Sequence, residues 1–123
     1  MKIHCNVIAA AALVSVVSVC PAHASDFKTG NQLMSDCQSP EPVDRMICMG
    51  YVEGVAGAMA MNAVNGFRAC ISTTATALQV TDIATAFIYA NPARRHYAAT
   101  GLVAQSLEAA FPCGRASGPK LNS

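Results

Sequence analysis

Cysteine, histidine and carboxylate side chains are the groups in this chain that could do covalent or acid–base chemistry. The chain contains six cysteines and three histidines. A cysteine thiolate beside an imidazole is a nucleophile, but this chemistry needs a reduced cysteine close to a histidine. His96 is the only histidine beyond residue 23, and no serine lies in a nucleophile-elbow motif. We therefore predict that the chain is not an enzyme and that it binds no cofactor.

Residues 1–24 have the pattern of a signal peptide. They start with a positive charge, carry an apolar run over residues 7–19, and end in Ala-His-Ala at residues 22–24, which has the form of a signal peptidase site. A lipoprotein signal ending before Cys20 is the alternative, but the residue before this cysteine is a valine, which is not small. We expect the mature chain to begin at Ser25 and to be periplasmic.

Four cysteines follow the predicted signal peptide, namely Cys37, Cys48, Cys70 and Cys113. An even number of cysteines in an exported chain indicates disulfide bonds. A structural zinc site would need closely spaced pairs of ligands, and the gaps between these cysteines are too long for that pattern. We predict disulfides and no metal site.

Hydrophobic periodicity and capping residues predict four helices. The first helix runs from its cap Thr29 to about Cys37, and the second runs from Pro42 or Val43 to Asn65. The third begins at a cap, either Thr81 or Asp82, and ends at Asn91. The fourth has Asn91 as its cap and runs from Pro92 to Phe111. Residues 71–77 are expected to be an irregular connection rather than a strand. The predicted fold is all-α: a small, disulfide-braced, four-helix bundle-like domain over residues 25–113, followed by a disordered tail at residues 114–123.

The order of the helices suggests how the cysteines pair. Cys37 ends the first helix and Cys48 lies early in the second, so a bond between them would close the intervening loop. If the second, third and fourth helices run up, down and up, Cys70 and Cys113 come together. Four cysteines allow three pairings, so the sequence leaves the connectivity open.

The segment 48–63 is almost entirely apolar or glycine and is predicted to be the central helix. Gly50, Gly54 and Ala58 form a row without large side chains, where a neighbouring helix is expected to pack closely. Glu53 is the only charge, and we expect it to pair with an arginine or a tyrosine hydroxyl inside the fold rather than to act as a general base. This charge and the glycines also argue against a membrane span. The methionines are interpreted as core, with an adaptable partner-binding surface as the alternative.

The charges of the chain are nearly balanced, with eight Lys and Arg against seven Asp and Glu. This balance gives no electrostatic indication of nucleic-acid or anionic-membrane binding. Arg94 and Arg95 would oppose the dipole at the start of the fourth helix, so they are interpreted either as structural residues or as contacts for a partner. Thr76 and Gln79, in the connection before the predicted third helix, are the other candidates for partner binding.

Several short motifs, taken in order, resemble one known family. They are Phe27-x-Thr29-Gly30-Asn31-x-Leu33, Cys37, Cys48-x-Gly50-Tyr51-x-x-Gly54, Cys70, Asn91-Pro92-x-x-Arg95-His96-x-x-Ala99 and Phe111-Pro112-Cys113. Their order and spacing are similar to those of the Tai-like (Rap/Tai) amidase immunity proteins of type VI secretion systems. The resemblance implies a small helical periplasmic protein, often a homodimer, that binds a peptidoglycan amidase effector. Inhibition would come from occlusion of the cleft that holds the toxin's catalytic cysteine and histidine.

Two other functions remain open from the sequence. One is a periplasmic chaperone for acid stress, although seven acidic residues are few for a protein that must respond to falling pH. The other is a helical envelope binding protein whose partner the sequence does not identify.

Overall fold

The first helix begins at a capping box. The computed structural model describes residues 27–114, so the predicted signal peptide and nearly all of the predicted disordered tail lie outside the described residues. Helix α1 spans Gly30–Cys37. The Thr29 hydroxyl accepts a hydrogen bond from the backbone of Gln32, and the Gln32 side chain accepts one from the Thr29 backbone at 2.8 Å. Two backbone donors are thus satisfied at the helix start, as the sequence predicts.

Helix α2 spans Pro42–Met61, with Asp44 in its first turn. Its start agrees with the prediction, but the predicted end at Asn65 is wrong. Asn65 and Gly66 have φ angles of 50° and 83°, which place both residues in the left-handed region. Asn-Gly is typical of tight turns that require this conformation at both positions. The helix ends four residues early, where Asn62 is extended with φ −148° and ψ 171°, and the chain then reverses through the Asn65–Gly66 turn.

Helix α3 spans Ala77–Ala90, so the predicted start at Thr81 or Asp82 is wrong. A second capping box begins the helix five residues earlier, because the Thr76 hydroxyl accepts from the Gln79 backbone and the Gln79 side chain accepts from the Thr76 backbone. Thr81 lies inside the helix. Residues 71–76 form an irregular connection, and the end of α3 before Asn91 agrees with the prediction.

The predicted fourth helix is divided in two, which corrects its start at Pro92. A short 3-10 helix covers Pro92–Arg94, and α4 spans Ala99–Ala110. The predicted N-cap role of Asn91 is also wrong, since its side-chain amide donates to the Phe87 carbonyl at 2.7 Å and so caps the end of α3.

The break before α4 follows from backbone pairing with the start of α1. The Gly30 N–H donates to the Tyr97 carbonyl at 3.0 Å, and the Asn31 N–H donates to the Arg95 carbonyl at 2.8 Å. In the other direction, the Ala99 N–H donates to the Lys28 carbonyl at 2.8 Å. Residues 95–98 cannot be helical and also offer these carbonyls to α1, so the helix restarts at Ala99.

The core lies between all four helices, and each of them contributes a fully buried side chain. The largest of these apolar side chains are Leu33, Val52, Ile88, Val103 and Leu107. The buried Ser106 hydroxyl donates to the Val103 carbonyl at 2.7 Å, so it is satisfied within its own helix. The described residues thus form an all-α domain.

Two disulfides join segments that the core alone would hold less firmly. Cys37 is bonded to Cys48, which links the end of α1 to α2, and Cys70 is bonded to Cys113, which links the segment after α2 to the end of α4. These are the two bonds that the helix order suggests. A bond across a long loop stabilises the fold chiefly by restricting the unfolded chain.

The side of α2 that carries Gly50 and Gly54 faces solvent, whereas the sequence predicts that it packs against another helix. Gly50 and Gly54 are exposed, and a Cβ atom added at either position would meet nothing within 4 Å. The predicted close helix neighbour is therefore absent from residues 27–114, and the prediction is wrong. Glu53 is also exposed rather than inside the fold, so its predicted internal partner is wrong. Met59 is buried, whereas Met46 is 66% exposed.

Within residues 27–114, no helix has both the length and the apolar character needed to cross a membrane.

We predict that Gly30→Ala destabilises the fold by about 1 to 3 kcal/mol, as overpacking of a tight contact does. A Cβ atom at Gly30 would lie 2.9 Å from the Arg95 carbonyl oxygen and 2.6 Å from Cδ1 of Leu102. The leucine can move, but the backbone of Arg95 is held by its hydrogen bond to Asn31. Chemical denaturation measures the change in the free energy of unfolding.

The matched control is Asn31→Ala, because the side chain of Asn31 is exposed and only its backbone joins the pairing. We expect this variant to stay within about 0.5 kcal/mol of the wild type. Equal stability of Gly30→Ala and the control would contradict the requirement for glycine at this contact.

Candidate functional site

Arg95 lies at the C-terminal end of α3 and not at the start of a helix. Its Nε donates to the Ile88 carbonyl at 2.9 Å, and its Nη2 donates to the Tyr89 carbonyl. The guanidinium also lies 5.5 Å from the centroid of the Tyr89 ring. Cationic side chains at this end of a helix satisfy free carbonyls and complement the helix dipole. Arg95 therefore caps the C-terminal end of α3.

Arg94 joins the 3-10 helix to α4. Its Nη2 donates to Oε1 of Gln105 at 2.5 Å, and its guanidinium lies 5.9 Å from the centroid of the Phe87 ring. Arg94 and Arg95, the two arginines predicted to be structural residues or partner contacts, thus form intramolecular hydrogen bonds that hold their side chains against α3 and α4. Contact of these arginines with another protein stays a prediction.

Thr76 and Gln79 serve as the capping box of α3, and both residues are exposed. Their mutual hydrogen bonds fix their side-chain positions at the beginning of the helix. The capping box therefore presents two polar side chains in a defined geometry on the surface. These two predicted residues lie close together, at the opposite end of α3 from Arg95.

Three cavities surround the N-terminal half of α3. The first, of about 410 Å³, lies between α2 and α3 and is lined by residues that include Met46, Leu78 and Asp82. The second, of about 420 Å³, lies between the 72–75 segment, α3 and Phe111, and it shares Asp82 with the first. The third, of about 280 Å³, adjoins Thr76 and shares Ala75 with the second. The shared residues make the three cavities neighbours on one side of the molecule.

We define the α3 surface as the exposed residues of the 72–82 segment that line these cavities, which are Ser72, Thr74, Thr76, Leu78, Gln79 and Asp82. Leu78 is 62% exposed and is the large apolar side chain of the set. Leu78 lines the first cavity together with Met46 and Asp82. An exposed apolar side chain in a cavity wall can serve as the apolar centre of an interface. The sequence patterns alone did not identify Leu78 or Asp82 as partner-binding residues.

Charged side chains of both signs lie around the α3 surface. Asp82 and the nearby Glu53 form no salt bridge, since the one ion pair within residues 27–114 joins Lys28 to Asp36. Arg45 lines the first cavity, and its Nη1 donates to two carbonyls in the loop before α2, but its charge forms no salt bridge within residues 27–114 either. A partner at this surface would therefore meet two carboxylates and one guanidinium that lack an ion-pair partner in this part of the chain.

Both disulfides support the α3 surface from its flanks. Cys37 and Cys48 line the first cavity, and Phe111, which lines the second, accepts a hydrogen bond from the Cys70 backbone at 2.8 Å. Cys70 is in turn bonded to Cys113. A surface braced in this way loses little conformational freedom when a partner binds.

The groups considered for catalysis lie apart. All four cysteines between residues 27 and 114 are in disulfides, so none of these supplies a thiolate for His96. His96 is exposed and its ring lies 4.1 Å from that of Tyr97. Within the same range, no three His, Cys, Asp or Glu side chains are grouped so that they could hold a metal ion.

Comparison with known proteins adds one finding. A family model described as Rap1a immunity proteins matches residues 29–113. The matched range begins at the cap of α1 and ends at the last cysteine of the second disulfide, so it includes all four helices. No curated protein and no solved structure gives a significant match.

We predict that Arg95→Met lowers the free energy of unfolding by about 1 to 3 kcal/mol, because it leaves the Ile88 and Tyr89 carbonyls without their charged donor. Thermal unfolding measures this loss, and each 1 kcal/mol corresponds to roughly 4 to 8 °C for a domain of this size. His96→Ala, a change at the exposed neighbouring residue, is the control and should shift the midpoint little. If Arg95→Met unfolds at the same temperature as the wild type, Arg95 does not stabilise the C-terminal end of α3.

Proposed function

Because the chain belongs to the family of Rap1a immunity proteins, we propose that it is an exported immunity protein that binds and blocks a peptidoglycan amidase toxin delivered by type VI secretion. Membership of this family agrees with the resemblance to Rap/Tai immunity proteins in the sequence motifs. The family match over residues 29–113 is the observation that carries the proposal. The amidase target, the delivery system and the homodimeric state are the finer parts of the proposal.

The periplasm is the proposed site of action. Disulfides form and persist in oxidising compartments, and the domain holds two of them. A peptidoglycan amidase cleaves its substrate in the same compartment, so an immunity protein must meet the toxin there. The signal-peptide pattern in residues 1–24 supports the same location.

Inhibition in this proposal is steric and needs no reaction by the immunity protein. The α3 surface covers the amidase cleft, so the peptidoglycan substrate no longer reaches the toxin's catalytic cysteine and histidine. Leu78 inserts as the apolar anchor, while Thr76 and Gln79 provide hydrogen-bonding groups beside it. Asp82 and Glu53 favour a toxin surface that is neutral or basic at the point of contact.

Arg94 and Arg95 have a supporting role in this mechanism. Arg95 donates to carbonyls in the last turn of α3, at the far end of the helix from Leu78, and Arg94 donates to Gln105 of α4. The α3 surface is thereby held as part of a rigid helix.

The proposal is tested with purified residues 25–123 and the hydrolase encoded beside the gene for this chain. We expect a tight complex and loss of peptidoglycan cleavage by that enzyme. Leu78→Arg should weaken the complex at least about 30-fold, because a charged side chain replaces a central apolar anchor. Titration of the hydrolase activity with each variant measures the change.

Ala90→Arg is the matched control, since it adds the same side chain at an exposed position of the same helix, about 18 Å from Leu78 along the axis. It should inhibit like the wild type. Inhibition by Leu78→Arg at wild-type strength would reject the α3 surface as the contact. Absence of any complex between the wild-type protein and its neighbouring hydrolase would reject the amidase target itself.

A further inference from the structure

Arg45 is held in position by the loop that precedes α2. Its Nη1 donates to the Ser39 carbonyl at 2.9 Å and to the Pro40 carbonyl at 2.7 Å. The disulfide between Cys37 and Cys48 joins the two sides of this loop. Nε and Nη2 of Arg45 donate no hydrogen bond within residues 27–114. The guanidinium is therefore fixed by one nitrogen, while the edge formed by the other two is available to a partner.

Arg45 and Asp82 line the first cavity but do not pair with each other. The cavity lies between α2 and α3, and both side chains are exposed. The one ion pair within residues 27–114 joins Lys28 to Asp36, so no salt bridge links Arg45 to Asp82. The cavity wall thus carries a cation and an anion that are too far apart to neutralise each other. Such a wall attracts a partner with the reverse arrangement of charges.

Most of the other residues that line the first cavity are apolar, and they are Pro42, Met46, Met49, Leu78 and the disulfide-bonded Cys37 and Cys48. The cavity volume of about 410 Å³ falls in the range of roughly 300 to 1,000 Å³ found for pockets that hold ligands. Methionine side chains adapt their shape to the group that they contact. The cavity is therefore suited to an apolar side chain.

The charges near Arg45 argue against an inorganic anion in the first cavity. Asp44 is the preceding residue, Glu41 lies one helical turn earlier, and Asp82 lines the same cavity. These three carboxylates repel a phosphate or sulfate ion, and one guanidinium does not offset them. A partner that brings both a carboxylate and a basic group satisfies Arg45 and Asp82 together. The surface of another protein offers both groups.

We propose that the first cavity receives an apolar side chain of the toxin, and that Arg45 binds a toxin carboxylate beside it while Asp82 binds a toxin lysine or arginine. Nε and Nη2 of Arg45 form the edge of the guanidinium whose two N–H groups are parallel, which matches the two oxygens of a carboxylate. Leu78, in the wall of the cavity, contacts the same toxin segment. This inference rests on the proposed function and adds the chemistry of the toxin segment that is recognised.

The contact makes Arg45 a residue that determines specificity. A toxin without the carboxylate would cover the guanidinium and leave it without an ionic partner, which costs affinity. Lysine at this position would keep the charge but lose the paired donors. Arg45→Lys should therefore bind the toxin more weakly than the wild type does.

Double-mutant cycles between residues 25–123 and the neighbouring hydrolase test the carboxylate contact. The aspartates and glutamates of the hydrolase are changed singly to asparagine or glutamine, and each variant is titrated calorimetrically with wild-type protein and with Arg45→Gln. We expect Arg45→Gln to weaken the wild-type complex at least about 30-fold. Its effect should be coupled to one toxin carboxylate by about tenfold or more and should be additive with the others. Asp82→Asn is tested in the same way against the lysines and arginines of the hydrolase.

Arg68→Gln is the matched control, because Arg68 is exposed and lines none of the three cavities. It should bind like the wild type. The cycles also separate recognition from a structural effect of Arg45 on its loop. A loosened loop weakens binding to every hydrolase variant equally, so it produces no coupling to a single carboxylate.

Methyl-labelled methionine reports on the apolar part of the contact. We expect nuclear Overhauser contacts in the complex between the Met49 methyl group and an apolar side chain of the hydrolase. Their absence would overturn the insertion into the first cavity. Additive effects of Arg45→Gln with every toxin carboxylate would overturn the charge contact, and a complex that still forms and is still weakened by Leu78→Arg would leave the proposed function intact. If the wild-type protein forms no complex with the hydrolase, both are rejected.

Discussion

Backbone hydrogen bonds between the start of α1 and the segment before α4 determine how the rest of this domain is arranged. Gly30 and Asn31 donate to carbonyls of residues 95–97, and Ala99 donates back to Lys28. These bonds satisfy the first N–H groups of α1 and α4, which have no partner within their own helices. The same segment carries Arg95, whose guanidinium closes the C-terminal end of α3. One short stretch thus joins three helices.

The composition of the α3 surface matches the partner that we assign to it. The α3 surface combines one exposed leucine with hydroxyl, amide and carboxylate groups. Such a mixture suits a complex between two proteins that are each stable alone.

Local signals were sufficient to predict the all-α class and the start of both α1 and α2. The capping box at Thr29, the prolines and the cysteine positions each act over a few residues. The break before α4 could not be predicted, because it depends on carbonyls that bond to residues more than sixty positions earlier. The sequence does not predict which side of α2 is exposed, and the reason is different. A helix that is apolar on all sides does not indicate, by its own pattern, which side faces solvent.

Prediction of the candidate site was likewise partial. Thr76 and Gln79 repeat the capping signature of Thr29 and Gln32, yet the helix start was assigned to Thr81 or Asp82, where a polar pair also precedes apolar residues. Leu78 has no sequence signature, since an apolar residue within an apolar helix is expected to be buried. Its exposure depends on the packing of α3 against α2 and α4.

Amide hydrogen exchange on the complex with the neighbouring hydrolase shows directly which segment the toxin covers. We expect toxin binding to slow exchange mainly within residues 72–82, while residues 92–98 exchange as they do in the free protein. Slowed exchange confined to residues 92–98, with residues 72–82 unchanged, would contradict the assignment of the α3 surface as the toxin-binding site.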